Sequence, residues 1–339
     1  MNKLIKKIVA PLALGVAALT STNAMAELPK LTFCVFDIVG KQGDVYSMME
    51  DYRLEAMKWG VDFNLKAYTD EKIASEDFKA DKCDAVGMTG MRGRSFNPFT
   101  GTIDSIGSIP TYDHLKVVMQ YLSSPKLADK MRNGEYEVAG IAPAGAAYLF
   151  TNDRSIDTVG ELSGKKIAVL EFDKSQAIMV ESIGASPVSA SIATFGPMFN
   201  NGSVDVIAAP ALAYGALELY KGLGEKGAIV NFALAQLTVQ IMIRHEKFPE
   251  GFGQSSREYL YSQYDRAMEL IVKGTGEIKS NYWLELPEKD KVGYQEMFRQ
   301  TRLSLREKGI YDPKMLSFLS KIRCKMDSAL AECSAADRE

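Results

Sequence analysis

The sequence predicts an α/β protein of two lobes with a cleft between them and a helical C-terminal segment. Three observations predict it. Short β-rich runs alternate with amphipathic helical patterns, the mark of a sheet with crossover helices. The alternation occurs in two successive sets, and from about Gly253 the chain becomes almost wholly helical.

The chain opens on Lys3, Lys6 and Lys7, continues apolar from Ile8 to about Leu19, and reaches Ala24-Met25-Ala26. That order is a secretory signal with an A-x-A site, so cleavage is expected after Ala26 and residues 1–26 are expected to be removed. The apolar part is shorter than the ~20 residues that span a bilayer, and no later stretch approaches that length. An exported, periplasmic protein is expected. Its 43 acidic residues outnumber its 40 basic ones, three of which lie in the leader, so nucleic acid is not expected as a partner.

The first set runs KLTFCVF, DVYSMMEDYRLEAMKWG and VDFNLKAY, then KCDAVGM and LKVVMQYL. The second begins near AAYLFTN and continues with KKIAVLE, a helix from about Ser175 to Ile183, VDVIAAP, AIVNFAL and LTVQIMIRH. A mostly parallel sheet is expected. In the tail, Leu260, Tyr264, Met268 and Ile271 fall on one helical face, as packing against a core requires. The expected division is 27–142 plus 241–339 for the first lobe and 143–240 for the second.

Export favours disulfides among Cys34, Cys83, Cys324 and Cys333, although four cysteines allow three pairings. Cys34 lies in one predicted strand and Cys83 opens another, and such strands neighbour each other in many sheets. Cys324 and Cys333 stand too far apart to meet on one continuous helix but can close a terminal loop. The expected pairs are Cys34–Cys83 and Cys324–Cys333; the alternative is free buried thiols. Without a C-x-x-C or a nearby His, a metal is not expected, nor is a cofactor.

Enzyme chemistry finds little support. The only histidines are His114 and His245, and RHEKFPE lacks the second His of a zinc protease. No G-x-S-x-G elbow appears. GLGEKG, Gly222 to Gly227, matches G-x-G-x-x-G but follows a predicted helix, so it reads as a C-terminal glycine turn.

Loops after predicted strands are better candidates. FDIVGKQGDVY ends a strand at Asp37, and Asp44 is placed to cap the next helix. LEFDKSQA connects another strand to a helix, with Asp173 or Ser175 as its cap. GMTGMRGRSFNPF, Gly87 to Phe99, lacks the phosphate-loop spacing but offers glycines for close backbone approach and two arginines, Arg92 and Arg94.

SIDTVGELSGKKIAVLE is followed by IMVESIGASPVSASIATFGPMFNNGSVDVIAAPALAYGALELYK. This order resembles the solute-binding proteins of TRAP-type transporters, the DctP-like family, at Val159 to Val169, Ile183 to Val188, Asn201 to Val206 and Pro210. The whole chain also resembles a narrower group of solute-binding proteins, some regarded as RND-type efflux components linked to aminoglycoside resistance. The resemblance implies a type II-like periplasmic binding protein, a monomer that closes on a small polar ligand and delivers it to an integral membrane permease. The family places an arginine for a ligand carboxylate where this chain has Ala168. Either Arg92 or Arg94 replaces it, or the ligand is not a carboxylate. The plainer role of each arginine is a solvated or interlobe salt bridge. The expected cleft is lined by Asp37, Gln42, Asp44, Thr89, Arg92, Arg94 and Asn97 from the first lobe. The second contributes Glu171, Ser175, Pro210 and Tyr214, with Gln240 near the crossover. The rival reading is a resistance-associated accessory that binds a cationic drug such as an aminoglycoside through Asp37, Asp44, Glu171 and Asp173.

Overall fold

The computed structural model describes residues 28–335, 337 and 339. The leader and the cleavage site expected after Ala26 lie outside the described residues. The strands are β1 (Lys30–Phe36), β2 (Asp62–Tyr68), β3 (Ala85–Thr89), β4 (Arg132–Asn133), β5 (Tyr136–Thr151), β6 (Lys166–Leu170), β7 (Ser186–Ala190), β8 (Val206–Pro210), β9 (Ala228–Arg244) and β10 (Trp283–Leu284). They form one sheet of order β2-β1-β3-β9-β5-β8-β6-β7, with β4 and β10 paired to β5 and β9.

The wings of this sheet are parallel, β1 with β2 and β3, and β6 with β7 and β8, as is the short β10 beside β9. The centre is antiparallel, which corrects the expected mostly parallel sheet. AIVNFAL and LTVQIMIRH form the single strand β9, and AAYLFTN is the far end of β5. Each of these long strands runs through both lobes, and they pair from Tyr136↔Arg244 to Thr151↔Ala228. β3 pairs with Val239 to Ile243 of β9, and β8 with Ala147 to Thr151 of β5. Each wing is thus stitched to one end of the same ladder. Register shifts at Val138/Gly140, Pro143/Gly145 and Ala147/Leu149 bend the ladder as it passes between the lobes.

The helices are α1 (Asp44–Lys58), α2 (Glu71–Lys79), α3 (Gly90–Gly93), α4 (Pro98–Gly101), α5 (Tyr112–Ser123), α6 (Lys174–Ser182), α7 (Ile192–Asn200), α8 (Ala213–Ala216), α9 (Tyr220–Leu223), α10 (Phe252–Ser262), α11 (Tyr264–Gly276), α12 (Glu288–Glu307) and α13 (Pro313–Met326). The run LKVVMQYL lies in α5, where Leu115, Val118, Met119 and Leu122 make one buried stripe at helical spacing. The tail packs as its periodicity predicts: Leu260, Tyr264 and Ile271 are buried, although α10 and α11 are separate helices meeting at Gln263. Gly140 lets α10 lie close on β5, since a Cβ there would sit 1.9 Å from Leu260 Cδ1. Among the described residues no helix is long and apolar enough to cross a membrane.

Both expected disulfides are present. Cys34–Cys83 ties β1 to the segment leading into β3 inside the first-lobe core, with Cα atoms 5.9 Å apart. Cys324–Cys333 joins the end of α13 to the terminal loop across nine residues.

Candidate functional site

The turns that leave β3 and β6 face each other across the gap between the lobes. On the second-lobe side, Glu171, Phe172 and Asp173 form the turn from β6 into α6. On the first-lobe side, three cations meet these three residues one by one. Lys72 Nζ lies 3.1 Å from Glu171 Oε1, the Arg92 guanidinium 3.7 Å from the centre of the Phe172 ring, and Arg94 Nη1 3.1 Å from Asp173 Oδ1.

Each arginine is held in place locally. Arg92 Nε donates to Glu71 Oε2 at 2.8 Å, and the fully buried Glu71 also accepts the backbone N–H of Thr89 at 2.5 Å. Thr89 in turn caps α3, its Oγ1 accepting from Arg92 N. Arg94 Nε donates to the Gly101 carbonyl at 3.1 Å, Nη1 also reaches Ser175 Oγ at 3.3 Å, and the guanidinium stacks 4.9 Å from Tyr311. Gly101 is required here because a Cβ would lie 2.3 Å from Arg94 Cα. Both guanidinium groups therefore already have carboxylate partners, the interlobe role for Arg94 and an internal one for Arg92.

Behind this contact lies a cavity of about 300 Å³. Its walls are mainly apolar, from Met91, Ile106, Leu149, Ala168, Phe195 and Leu237 among others. Its ionisable carboxylates are Asp37, Asp104 and Asp173, and among the described residues no lysine, arginine or histidine lines it. Asp173 caps α6, accepting from Ser175 N at 3.0 Å and from Ser175 Oγ at 2.5 Å. Asp104 accepts from Thr238 Oγ1 at 2.6 Å and from Thr238 N at 3.2 Å. Burial pushes the Asp104 carboxyl up to about 7, against the opposing pull of the Thr238 hydrogen bonds and of Arg94. The approach is close: a Cβ on Gly90 would sit 2.4 Å from Thr238 Oγ1 and 2.7 Å from Asp104 Oδ2.

The expected site residues divide accordingly. Thr89, Ser175, Pro210 and Asp37 line the cavity. Asp37 is also committed to the fold, accepting from Val39 N and Tyr46 N, both at 3.0 Å. That carboxylate stands where a capping side chain for α1 would go, so the cap residue is Gly43 rather than Asp44; a Cβ on Gly43 would overlap Asp37 at 2.0 Å. Gln42 and Asp44 are exposed beside it, outside the cavity lining. Asn97 is buried as the cap of α4 and donates to the Lys130 carbonyl. Glu171 points outward to Lys72. Tyr214 packs edge-on against Tyr220 within the second-lobe core, not in the cavity lining. Gln240 is fully buried one layer behind the wall, donating to Thr100 O at 3.0 Å.

Sequence reasoning missed Asp104, Thr238 and Glu71. Asp104 left a signal, a single acid among small and apolar residues in TGTIDSIGS; Glu71 reads as an ordinary first-turn helix acid. The histidines stand apart: His114 Nδ1 pairs with Thr111 Oγ1, and His245 Nε2 with Gly134 O.

Two α/β wings stitched by two shared strands, with a cavity at the seam, define the class of two-lobe solute-binding proteins. Solved structures show the same fold. A TRAP periplasmic solute-binding protein from Ralstonia eutropha H16, with bound (S)-2-acetolactate, matches with a TM-score of 0.71 at 12% identity, over 87% of this chain and 99% of that one. One from Desulfovibrio salexigens, with bound orotic acid, matches with a TM-score of 0.68 at 14% identity, over 88% and 99%. The family model for the solute-binding proteins AdeT 1/2 matches residues 54–338, and the chain belongs to that family. The probable solute-binding protein AdeT1 of Acinetobacter baumannii is 45% identical over 89% of this chain and 100% of its own.

Proposed function

We propose that this protein works in the periplasm, capturing a small molecule in the cavity between its lobes and handing it, as a monomer, to an integral membrane permease. The observation that carries this reading is the position of the cavity, walled by both lobes and closed by first-lobe cations on the turn 171–173. A ligand that touches both walls favours the closed arrangement over the open one, which is how binding becomes a signal to a partner.

The TRAP-type neighbours hold small organic acids. The expectation of an anion for this chain rested on Arg92 and Arg94. Each already faces a buried carboxylate, Glu71 or Asp173, so an anion would have to compete with that carboxylate. The apolar walls instead suit a ligand with a substantial hydrocarbon body, whose burial supplies affinity at about 25 cal/mol per Å².

The test is to isolate the protein from the periplasm under native conditions, unfold it in organic solvent and analyse the released small molecules by mass spectrometry. One compound in near-stoichiometric amount is expected. Release of nothing, together with no shift in melting temperature on adding a periplasmic small-molecule extract, would count against the reading.

A further inference from the structure

The cavity's charge is one-sided. Asp37, Asp104 and Asp173 line it and, among the described residues, no basic side chain does. Arg94 compensates Asp173 from the side, and Asp37 is consumed by two backbone N–H groups, those of Val39 in the turn after β1 and Tyr46 in the first turn of α1. Asp104 is different. It is only 5% exposed, its protein hydrogen bonds come from one residue, Thr238, and it has no ion-pair partner within 4 Å among the described residues. A carboxylate has about four lone-pair positions, so Asp104 retains acceptor capacity toward the cavity.

We infer that the cavity takes an organic cation, a single protonated amine carried on an apolar body, with the ammonium seated against Asp104. This rests on the cavity being the ligand site. A charge buried without a partner is costly, and an ammonium beside Asp104 neutralises both groups at once. The remaining walls give hydrocarbon contact, and about 300 Å³ leaves room for roughly ten water-sized groups. A polycation would strand its further charges against Leu149, Ala168 and Phe195.

The groups that face Asp104 set the pH behaviour. They are Arg94 beyond α3 and Asp173 ahead of α6, with the Thr238 hydroxyl from β9. The first two act in opposite directions, and burial keeps Asp104 neutral up to about pH 7. Cation binding needs the ionised form, so affinity rises with pH up to about 7 and levels above it.

The experiment uses three matched probes, 4-phenylbutylammonium, 4-phenylbutanoate and 4-phenylbutan-1-ol, titrated calorimetrically onto the whole protein at pH 5.5, 7 and 8.5. At pH 8.5 the amine is expected to bind at least tenfold tighter than either partner, and to lose about tenfold per pH unit well below 7. Asp104→Asn should bring the amine level with the alcohol and flatten its pH profile, while unchanged alcohol binding shows the cavity intact. The carboxylate or the alcohol binding as tightly as the amine overturns the inference, and needs no variant. So does a failure of all three to bind, and the solute-binding reading then stands or falls separately on the compound released from the isolated protein.

Discussion

Arg94 and Asp173 join the two lobes through an ion pair of 3.1 Å that is nearly closed to solvent, with side-chain exposures of 11% and 2%. The arginine that sequence logic offers to a ligand is thus an internal latch. Arg94→Ala leaves Asp173 buried without its counter-ion and is expected to cost about 3–5 kcal/mol. Removing both charges, as Arg94→Ala with Asp173→Ala, should cost less than the single change. Urea denaturation of the two variants checks the order, and small-angle scattering should show the single variant expanded relative to the parent.

Asp104 makes stability depend on pH in the direction opposite to a salt-bridged acid. Its folded value, about 7, lies above the ordinary 3.8, so the folded state holds the proton more tightly. The resulting stability is fully present below pH 3.8 and is lost as pH rises through about 7. The difference amounts to roughly 4 kcal/mol at about 1.4 kcal/mol per unit. Asp104→Asn should therefore gain on the parent as pH rises from 5 to 8, measured by denaturant midpoints across that range. A constant gap between the two would argue against a raised Asp104.

The terminal disulfide holds a clamp on the loop that carries Asp104. Glu332, next to Cys333, accepts from Arg302 Nη2 at 2.8 Å and Arg323 Nε at 2.5 Å. Those buried arginines reach on to the carbonyls of Ile106 at 3.0 Å and Ser108 at 2.7 Å. Both arginines also pair with Glu339, at 2.5 and 2.7 Å, so Glu332→Gln removes one of two shared carboxylates and is expected to cost about 1.5–3 kcal/mol. Replacing Cys324 and Cys333 by Ser should cost roughly 2–3 kcal/mol. In both variants hydrogen exchange should quicken at the backbone of residues 104–108, and unchanged protection there would show that the clamp does not act on the loop.

The legible part of this protein was the part written in local pattern. Leu260, Tyr264 and Ile271 announce their buried face by spacing, and Cys34 in β1 and Cys83, two residues before β3, announce their pairing by belonging to neighbouring strand segments. The long antiparallel centre was hidden because Gln236 and its neighbours interrupt the apolar run of β9, making one strand read as two. Of the residues expected at the cleft, Thr89, Ser175 and Pro210, read from strand ends, stand in the cavity wall. What stayed hidden was pairing between distant residues. Nothing local to Arg94 reveals Asp173, 79 positions on, as its partner, or marks Glu71 as the acid beneath Arg92. Tyr214 went the other way, because a helix after a strand offers two faces and its ring took the one toward the core.

The most direct test of the central claim, that the interlobe cavity is the solute site, is to rebind the compound released from the isolated protein to an Ala168→Trp variant. Ala168 is buried and its side chain lines the cavity, so an indole there occupies the space a ligand needs. Calorimetry should show the stripped parent rebinding the compound and the folded variant weakened at least a hundredfold. Equal affinity for parent and variant would contradict the account, placing the solute somewhere other than this cavity.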